Sequence, residues 1–464
     1  MSKQINTIVE LDKEKQHSPK QVSKLGLWSC TALVVGNMVG SGIFLLPSTL
    51  APYGVIAIFG WIATSAGAIV LALVFGRLAR MAPRTGGPYA WSHDAFGEFV
   101  GFLNAWGYWI ALWAGNAAVA IAFSGYLSYL FPALLESNIV RFGTALAAIW
   151  IVTFVNVRSV KNAGSFQIVT TVLKLLPLLF IIALGFSDFQ IDNFVSPPSP
   201  SPHGGTGAAV VATAALTLWA FLGLESATVP AGDVENASKI IPLATIMGVA
   251  FTAVLYILVT VAVFGLMPLE NLAQSSAPLA DAARLAVGNW GGITVAVGAC
   301  VATIGTLNGF TLLSGQIPFA AARDNVFPSW FGKVNAQGAP ARGLIVSNIL
   351  ASCLVAMNFT KGLVEQFTFI ILLATLTTLV PYIFCALAEI MIVLKKADGA
   401  RRSSALTFIL GGIAFLYSIW AIYGAGSEIV FYGFLLLLAG IPVHMAIKYH
   451  AAMQRIAPIS GDKK

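Results

Sequence analysis

Val35-Gly36-Asn37-Met38-Val39-Gly40-Ser41-Gly42-Ile43-Phe44 interrupts the first long apolar run of a 464-residue chain, and its glycines decide how that run folds. A second interruption, Thr217-Leu218-Trp219-Ala220-Phe221-Leu222-Gly223-Leu224-Glu225-Ser226-Ala227, lies in the sixth run, near the start of the second half. A helix in lipid has every reason to avoid glycine clusters, because hydrocarbon cannot satisfy an amide freed by a broken turn. Two breaks at corresponding points of two hydrophobic halves point to a ligand site between half-helices, the arrangement found in secondary transporters.

Composition agrees with lipid as the solvent. Of the residues, 58% are hydrophobic and only 10% charged, where a soluble domain carries roughly a quarter charged residues. Apolar runs of about 20 residues match the hydrocarbon thickness of a bilayer. Twelve are expected, over 26–50, 54–80, 98–131, 142–158, 163–186, 207–232, 241–267, 291–322, 341–358, 364–395, 404–424 and 428–449. The chain therefore reads as an all-α, multi-pass membrane protein.

Positive charge sets the orientation. With twelve spans, the two tails and the loops after even-numbered spans share one compartment, and they hold 22 of the 26 Lys and Arg. The opposite loops hold only Arg141, Arg284 and Lys361. Both termini are thus expected in the cytoplasm. The net charge of +7 is then a topology signal and needs no nucleic acid partner. Residues 1–25 are a polar tail without the apolar core of a cleavable signal, so the first span is expected to be retained. Cys30, Cys300, Cys353 and Cys385 lie far apart within spans, and the five histidines lie in tails, loops or at a span end. Neither set has metal spacing, and no cofactor is expected.

The longest loop, 187–206, is rich in Pro, Ser and Gly, the composition of a linker. It would separate a first repeat (26–186, spans 1–5) from a second (207–395, spans 6–10). Five spans per half reverse the topology of the second, as an inverted repeat requires. Spans 11 and 12 (396–449) and a cytoplasmic tail (450–464) would follow.

Several residues carry chemistry within this frame. Gly36, Gly40 and Gly42 permit non-helical backbone, and the half-helix after the break points its positive end at the gap. A carboxylate is the natural guest, with Ser41 as a hydroxyl donor and Asn37 holding the break open. Close helix packing through small residues is the competing reading. Glu225 is a carboxylate in an apolar run, expensive when ionised at membrane depth and so normally paired, hydrated or protonated. It suits a group that exchanges protons or meets a cationic substrate, or one that merely hydrogen-bonds unwound backbone. Trp219 is placed to cap a ligand, or to sit at the interface as lone tryptophans do. In span 3, Ala111, Gly115 and Asn116 fall near one helix face; Asn116 either lines a ligand or serves as polar glue between helices. Lys174 lies about eleven residues into span 5, roughly 16 Å deep. An ammonium there can brace spans 1 and 8 when charged and release them when neutral, or act as a static strut.

These residues resemble the amino acid–polyamine–organocation superfamily over about 26–450, and within it the bacterial basic amino acid and polyamine antiporters. The resemblance rests on Gly36-Asn37-Met38-Val39-Gly40-Ser41-Gly42-Ile43-Phe44-Leu45-Leu46-Pro47, Gly86-Gly87-Pro88-Tyr89-Ala90 and Leu218 through Ala227. Asp233-Val234-Glu235-Asn236 and Phe327-Pro328 through Val334-Asn335 add to it. It implies a LeuT-like five-plus-five inverted repeat with discontinuous helices 1 and 6, and exchange of amino acids or their decarboxylated amines. It also implies carboxylate binding by Ser41 and Gly42 beside Gly40, a site-lining Asn37, a gating Trp219 and a proton-sensitive Glu225. Ala111, Asn116 and Leu222 match positions lining the side-chain pocket. Phe310 stands where the arginine/agmatine antiporters carry a second tryptophan, Leu112 replaces their pocket cysteine and Ala374 a pocket serine. Each change makes the pocket more apolar and weakens the expectation of arginine specificity. Lys174 departs from those antiporters and is similar to a lysine of proton-coupled permeases and neutral amino acid exchangers.

The expected function is a secondary-active amino acid/amine antiporter in the bacterial inner membrane, with a proton-coupled symporter of neutral amino acids as the alternative. Phe221, Trp219 and Phe310 would contact the substrate side chain, and Glu225 and Lys174 would set proton coupling. The expected partners are an amino acid or polyamine, lipid and protons, with a homodimer left open. An integral-membrane enzyme would need a cluster of His, Asp or Cys at one interface and a channel would need repeated polar residues along a helix face; the sequence offers neither.

Overall fold

Each apolar run must satisfy its backbone within itself, and in the computed structural model it does so as α-helix. The structure describes residues 25–82, 87–135, 137–158, 163–195, 205–228, 231–358, 360–396 and 405–456. Most of the expected tails, part of the 187–206 linker and the expected loop after span 10 lie outside them.

From the N-terminus the helices are α1 (Leu27–Met38), α2 (Ser41–Leu50), α3 (Ile56–Met81), α4 (Pro88–Phe96), α5 (Glu98–Leu130), α6 (Asn138–Arg158), α7 (Ala163–Ser187), α8 (Ile191–Val195) and α9 (Thr206–Leu218). There follow α10 (Ala237–Leu266), α11 (Leu269–Gln274), α12 (Pro278–Val287), α13 (Asn289–Arg323), α14 (Ala341–Asn358), α15 (Leu363–Lys396), α16 (Ala405–Gly424), α17 (Ser427–Leu438) and α18 (Gly440–Ile456). No strand forms among the described residues; one isolated bridge pairs Leu25 with Val234. Ten segments are long and apolar enough to cross a membrane, and two shorter apolar helices, Thr171–Ser187 and Ala341–Met357, accompany them.

Burial separates centre from periphery. The most apolar window of α5 is 89% buried, and those of Leu27–Tyr53 and Thr206–Thr228 are 78% buried. The corresponding window of Ser427–Tyr449 is only 22% buried, and its Phe431, Tyr432 and Phe434 face outward. α5 packs on α13 and α15, α3 on α9 and α10, and α1 on α7 and α10. The interrupted segments thus stand at the centre of the molecule. At one end Arg77 binds Glu389 and Thr407, tying α3 to α15 and α16. The start of the linker is folded: Gln190 N–H donates to Gly265 O at 3.0 Å, which seats α8 on α10.

Candidate functional site

The first interruption is short. α1 stops at Met38, Val39 is extended, and Gly40 takes φ −145° and ψ −149° before α2 begins at Ser41. A Cβ on Gly40 would lie 2.7 Å from Thr306 Cγ2, so glycine is what lets the break approach α13. The second interruption is longer. α9 tightens into a 3-10 turn over Trp219–Phe221, Leu222 is extended, and Gly223 takes φ +105°, a conformation open to glycine. Only 3-10 turns, Ser226–Thr228 and Ala231–Asp233, follow among the described residues, so no regular second half-helix forms in this span. The Glu225 side chain explains part of this, because it turns back to accept from Gly223 N–H at 3.2 Å.

The two breaks touch. A Cβ on Gly223 would stand 3.1 Å from Asn37 Cβ, and one on Gly42 would stand 3.1 Å from Ala220 Cα. Beside this contact lies a cavity of about 200 Å³ whose wall includes Asn37, Met38, Gly40, Ser41, Gly42 and Thr306. The first amides of α2 have no intrahelical acceptor, and Gly40 supplies no side-chain cap. Ser41 is 2% exposed, yet its Oγ has no hydrogen-bond partner. Buried hydroxyls are rarely left so, and this one belongs to a cavity wall.

A second cavity, of about 330 Å³, shares Trp219, Leu222 and Phe310 with the first. Its remaining wall includes Tyr108, Ala111, Leu112, Glu225, Leu313 and Thr378. Trp219 meets Phe310 edge to face at 6.2 Å between centroids, and this pair partitions the two spaces. Glu225 accepts from Tyr108 Oη at 2.7 Å and from Tyr382 Oη at 2.6 Å, besides Gly223 N. The carboxylate is thereby held between α5, the second break and α15.

Lys174 on α7 is 1% exposed. Its ammonium donates to Gly36 O and to Thr306 Oγ1, each at 2.9 Å. Gly36 O belongs to the last turn of α1, whose carbonyls lack intrahelical donors, so the lysine fastens the start of the first break to α13.

Of the expected pocket residues, Asn37, Gly40, Ser41, Gly42, Ala111, Leu112, Trp219, Leu222 and Phe310 line one or both cavities. Asn116, Phe221 and Ala374 are not among the lining residues of either. Asn116 Nδ2 donates to Asn348 Oδ1 at 2.9 Å, joining α5 to α14. Phe221 packs against Trp61 and Tyr256. Ala374 is buried one turn before Thr378 and accepts its hydroxyl at 3.0 Å. Tyr108, Tyr382, Thr306 and Thr378 join the site without having been singled out from sequence. For the tyrosines a signal existed: a phenol in an apolar span needs a polar partner, and Glu225 is an acceptor with room for several. Among the described residues no three His, Cys, Asp or Glu side chains gather as metal ligands do.

Comparison with known proteins bears on this geometry. The family model described as amino acid permease matches residues 25–446. An arginine/ornithine antiporter of Pseudomonas aeruginosa is 34% identical over 439 residues, covering 91% of this chain and 90% of the relative. A cadaverine/lysine antiporter of Escherichia coli K12 is 34% identical over 413 residues, covering 87% and 90%. A putrescine transporter of Haemophilus influenzae is 31% identical over 428 residues, covering 92% and 98%.

Proposed function

This chain belongs to the amino acid permease family, and from that premise we propose that it is a secondary-active antiporter exchanging an amino acid for a related amino acid or amine by alternating access. It is a multi-pass membrane protein and a transporter, not an enzyme. The observation that carries the reading is the unpartnered Ser41 hydroxyl at the head of α2, in a cavity walled by both breaks. A substrate carboxylate there would accept from Ser41 and the free amides of α2. The α-amine would meet carbonyls at the ends of α1 and α9. The side chain would cross between Trp219 and Phe310 toward Ala111, Leu112 and Glu225. Phe221 would act from behind, fixing the turn that carries Trp219, and Asn116 and Ala374 would support the wall.

Glu225 suits either a cationic substrate tip or a proton. Protonation adds a donor to one carboxyl oxygen and weakens that oxygen as an acceptor, so the bonds from Tyr108 and Tyr382 change in strength or direction. A proton is in this way converted into a changed link between α5, α15 and the second break.

The finer architecture belongs to the same proposal. Twelve spans would form a five-plus-five inverted repeat, with 26–186 and 207–395 as its halves, 187–206 as an extracytoplasmic linker and 396–449 outside it. The tails 1–25 and 450–464 would be cytoplasmic, the membrane the bacterial inner membrane, and lipid, protons and a second copy of the chain the further partners.

The deciding experiment is uptake into proteoliposomes for basic, neutral and diamine substrates, with and without internal counter-substrate and with and without a pH gradient. Antiport requires that uptake depend on counter-substrate; uptake without it would transfer the reading to proton symport. The ammonium of Lys174 favours that second reading, since it ties α1 to α13 across the break. Under symport, Lys174→Met loses pH-gradient-driven uptake and keeps exchange. An unchanged gradient dependence in this variant would remove the lysine from coupling.

A further inference from the structure

A further cavity lies away from the breaks. About 350 Å³ open between α5, α6, α14 and α15, with Arg141 and Lys361 both in the wall. On the proposed topology these are two of only three cations in the loops of that side, against the bias that keeps positive charge on the other. Among the described residues no acidic one lines the cavity.

Neither cation is neutralised within the wall. Arg141 bonds the neutral amide of Asn138. Lys361 reaches Glu365 at 3.3 Å, but that carboxylate is 64% exposed and outside the wall, and exposed pairs of this kind contribute little. Each cation-bearing residue is instead anchored by its backbone. Ser124 Oγ, 2% exposed, donates to Arg141 O at 3.0 Å, and Gln366 Nε2 donates to Lys361 O at 3.1 Å.

The place of the cavity in the fold identifies its guest. Asn138 and Leu363 begin α6 and α15, and α14 ends at Asn358, so the mouth lies at the ends of spans. Ala145, seven residues into α6, lies about 10 Å deeper. Going inward the wall becomes apolar, through Phe142, Ala145, Ile121 and Val355. Outside, Ile139 and Val140 are exposed on the same helix. Positive charge at headgroup depth above an apolar recess fits a phosphate whose acyl chain continues along α6. A zwitterionic headgroup would bring its own cation against Arg141 and Lys361. We infer that this cavity binds the headgroup of an anionic phospholipid, at a site separate from the substrate cavities.

Native mass spectrometry of the purified full chain, offered dioleoyl phosphatidylglycerol and dioleoyl phosphatidylcholine at equal concentration, tests this. Phosphatidylglycerol should be retained in preference, and R141Q and K361Q should each reduce its retention about fivefold. The charge-preserving double variant R141K/K361R should keep it, and substrate exchange by R141Q/K361Q in phosphatidylcholine vesicles reports that the variant is folded. Equal retention of the two lipids overturns the inference, as does equal loss in the charge-preserving and charge-removing double variants. Displacement of phosphatidylglycerol by inorganic phosphate at matched concentration overturns the lipid as guest and leaves a site for free anions.

Discussion

Ser41 separates a binding role from a packing role with a single atom. Its Oγ is buried without a partner, so Ser41→Ala removes no internal hydrogen bond and should leave the melting temperature of the empty protein unchanged or slightly higher. With a carboxylate bound, the same deletion loses a hydrogen bond to a charged group, about 1.5–3 kcal/mol, roughly ten- to a hundredfold in apparent affinity. The loss should fall on amino acids and spare diamines, which have no carboxylate. Equal weakening of both classes in competition assays would place Ser41 outside carboxylate recognition. Glu225→Gln makes a parallel case. Glutamine keeps the shape between Tyr108 and Tyr382 but cannot gain or lose a proton. Exchange by this variant should lose its pH dependence over the range where the parent varies, and about tenfold of its preference for cationic over neutral substrates. A parent-like pH profile would move the proton to another group. Ser41 and Glu225 were legible because each is a polar residue in an apolar run. Their surroundings were not: Tyr108 and Tyr382 reach Glu225 from 117 and 157 residues away, and no local pattern encodes that meeting.

At the scale of the element, both interruptions were legible from glycine placement, and their lengths were not. Gly36, Gly40 and Gly42 all permit non-helical backbone, but Gly36 and Gly42 are helical and only Val39 and Gly40 separate α1 from α2. Gly36 and Gly42 serve proximity instead: Gly36 O receives Lys174, and Gly42 admits Ala220 and Trp219. The second stretch has fewer glycines and unwinds further, since Gly223 at φ +105° and the returning Glu225 side chain replace helical bonds over several residues. Left-handed backbone stored in this way costs a side-chain-bearing residue about 1–3 kcal/mol. Gly223→Ala should therefore lower the melting temperature and reduce transport. Gly97→Ala supplies the comparison: φ there is +88°, but nothing lies within 4 Å of the added methyl. The two variants should share the backbone penalty, and only Gly223→Ala should disturb Asn37 and the cavities. If Gly97→Ala impairs transport as much, the defect of Gly223→Ala reflects general destabilisation and not the contact between the breaks.

For the whole molecule, charge asymmetry makes a prediction that packing does not. Hydropathy reveals where the chain crosses, because lipid penalises every unsatisfied polar group, but it is blind to direction. Direction would follow from the loops: on twelve spans the tails and even-numbered loops carry 22 Lys and Arg against three on the other side, and such a bias orients spans during insertion. An odd number of crossings would set the basic residues from 448 onward opposite those before 25 and weaken that bias. Single cysteines at Ser199, in the expected linker, and at Ser403, in the expected loop between spans 10 and 11, test this in intact cells. A cysteine-free background is needed, because Cys353 is exposed on α14. Membrane-impermeant maleimide should label Ser199→Cys directly and Ser403→Cys only after permeabilisation. The reverse pattern inverts the protein; equal labelling of both sites from outside means that an even number of spans separates 199 from 403, and the five-span second half, with the inverted repeat it implies, fails.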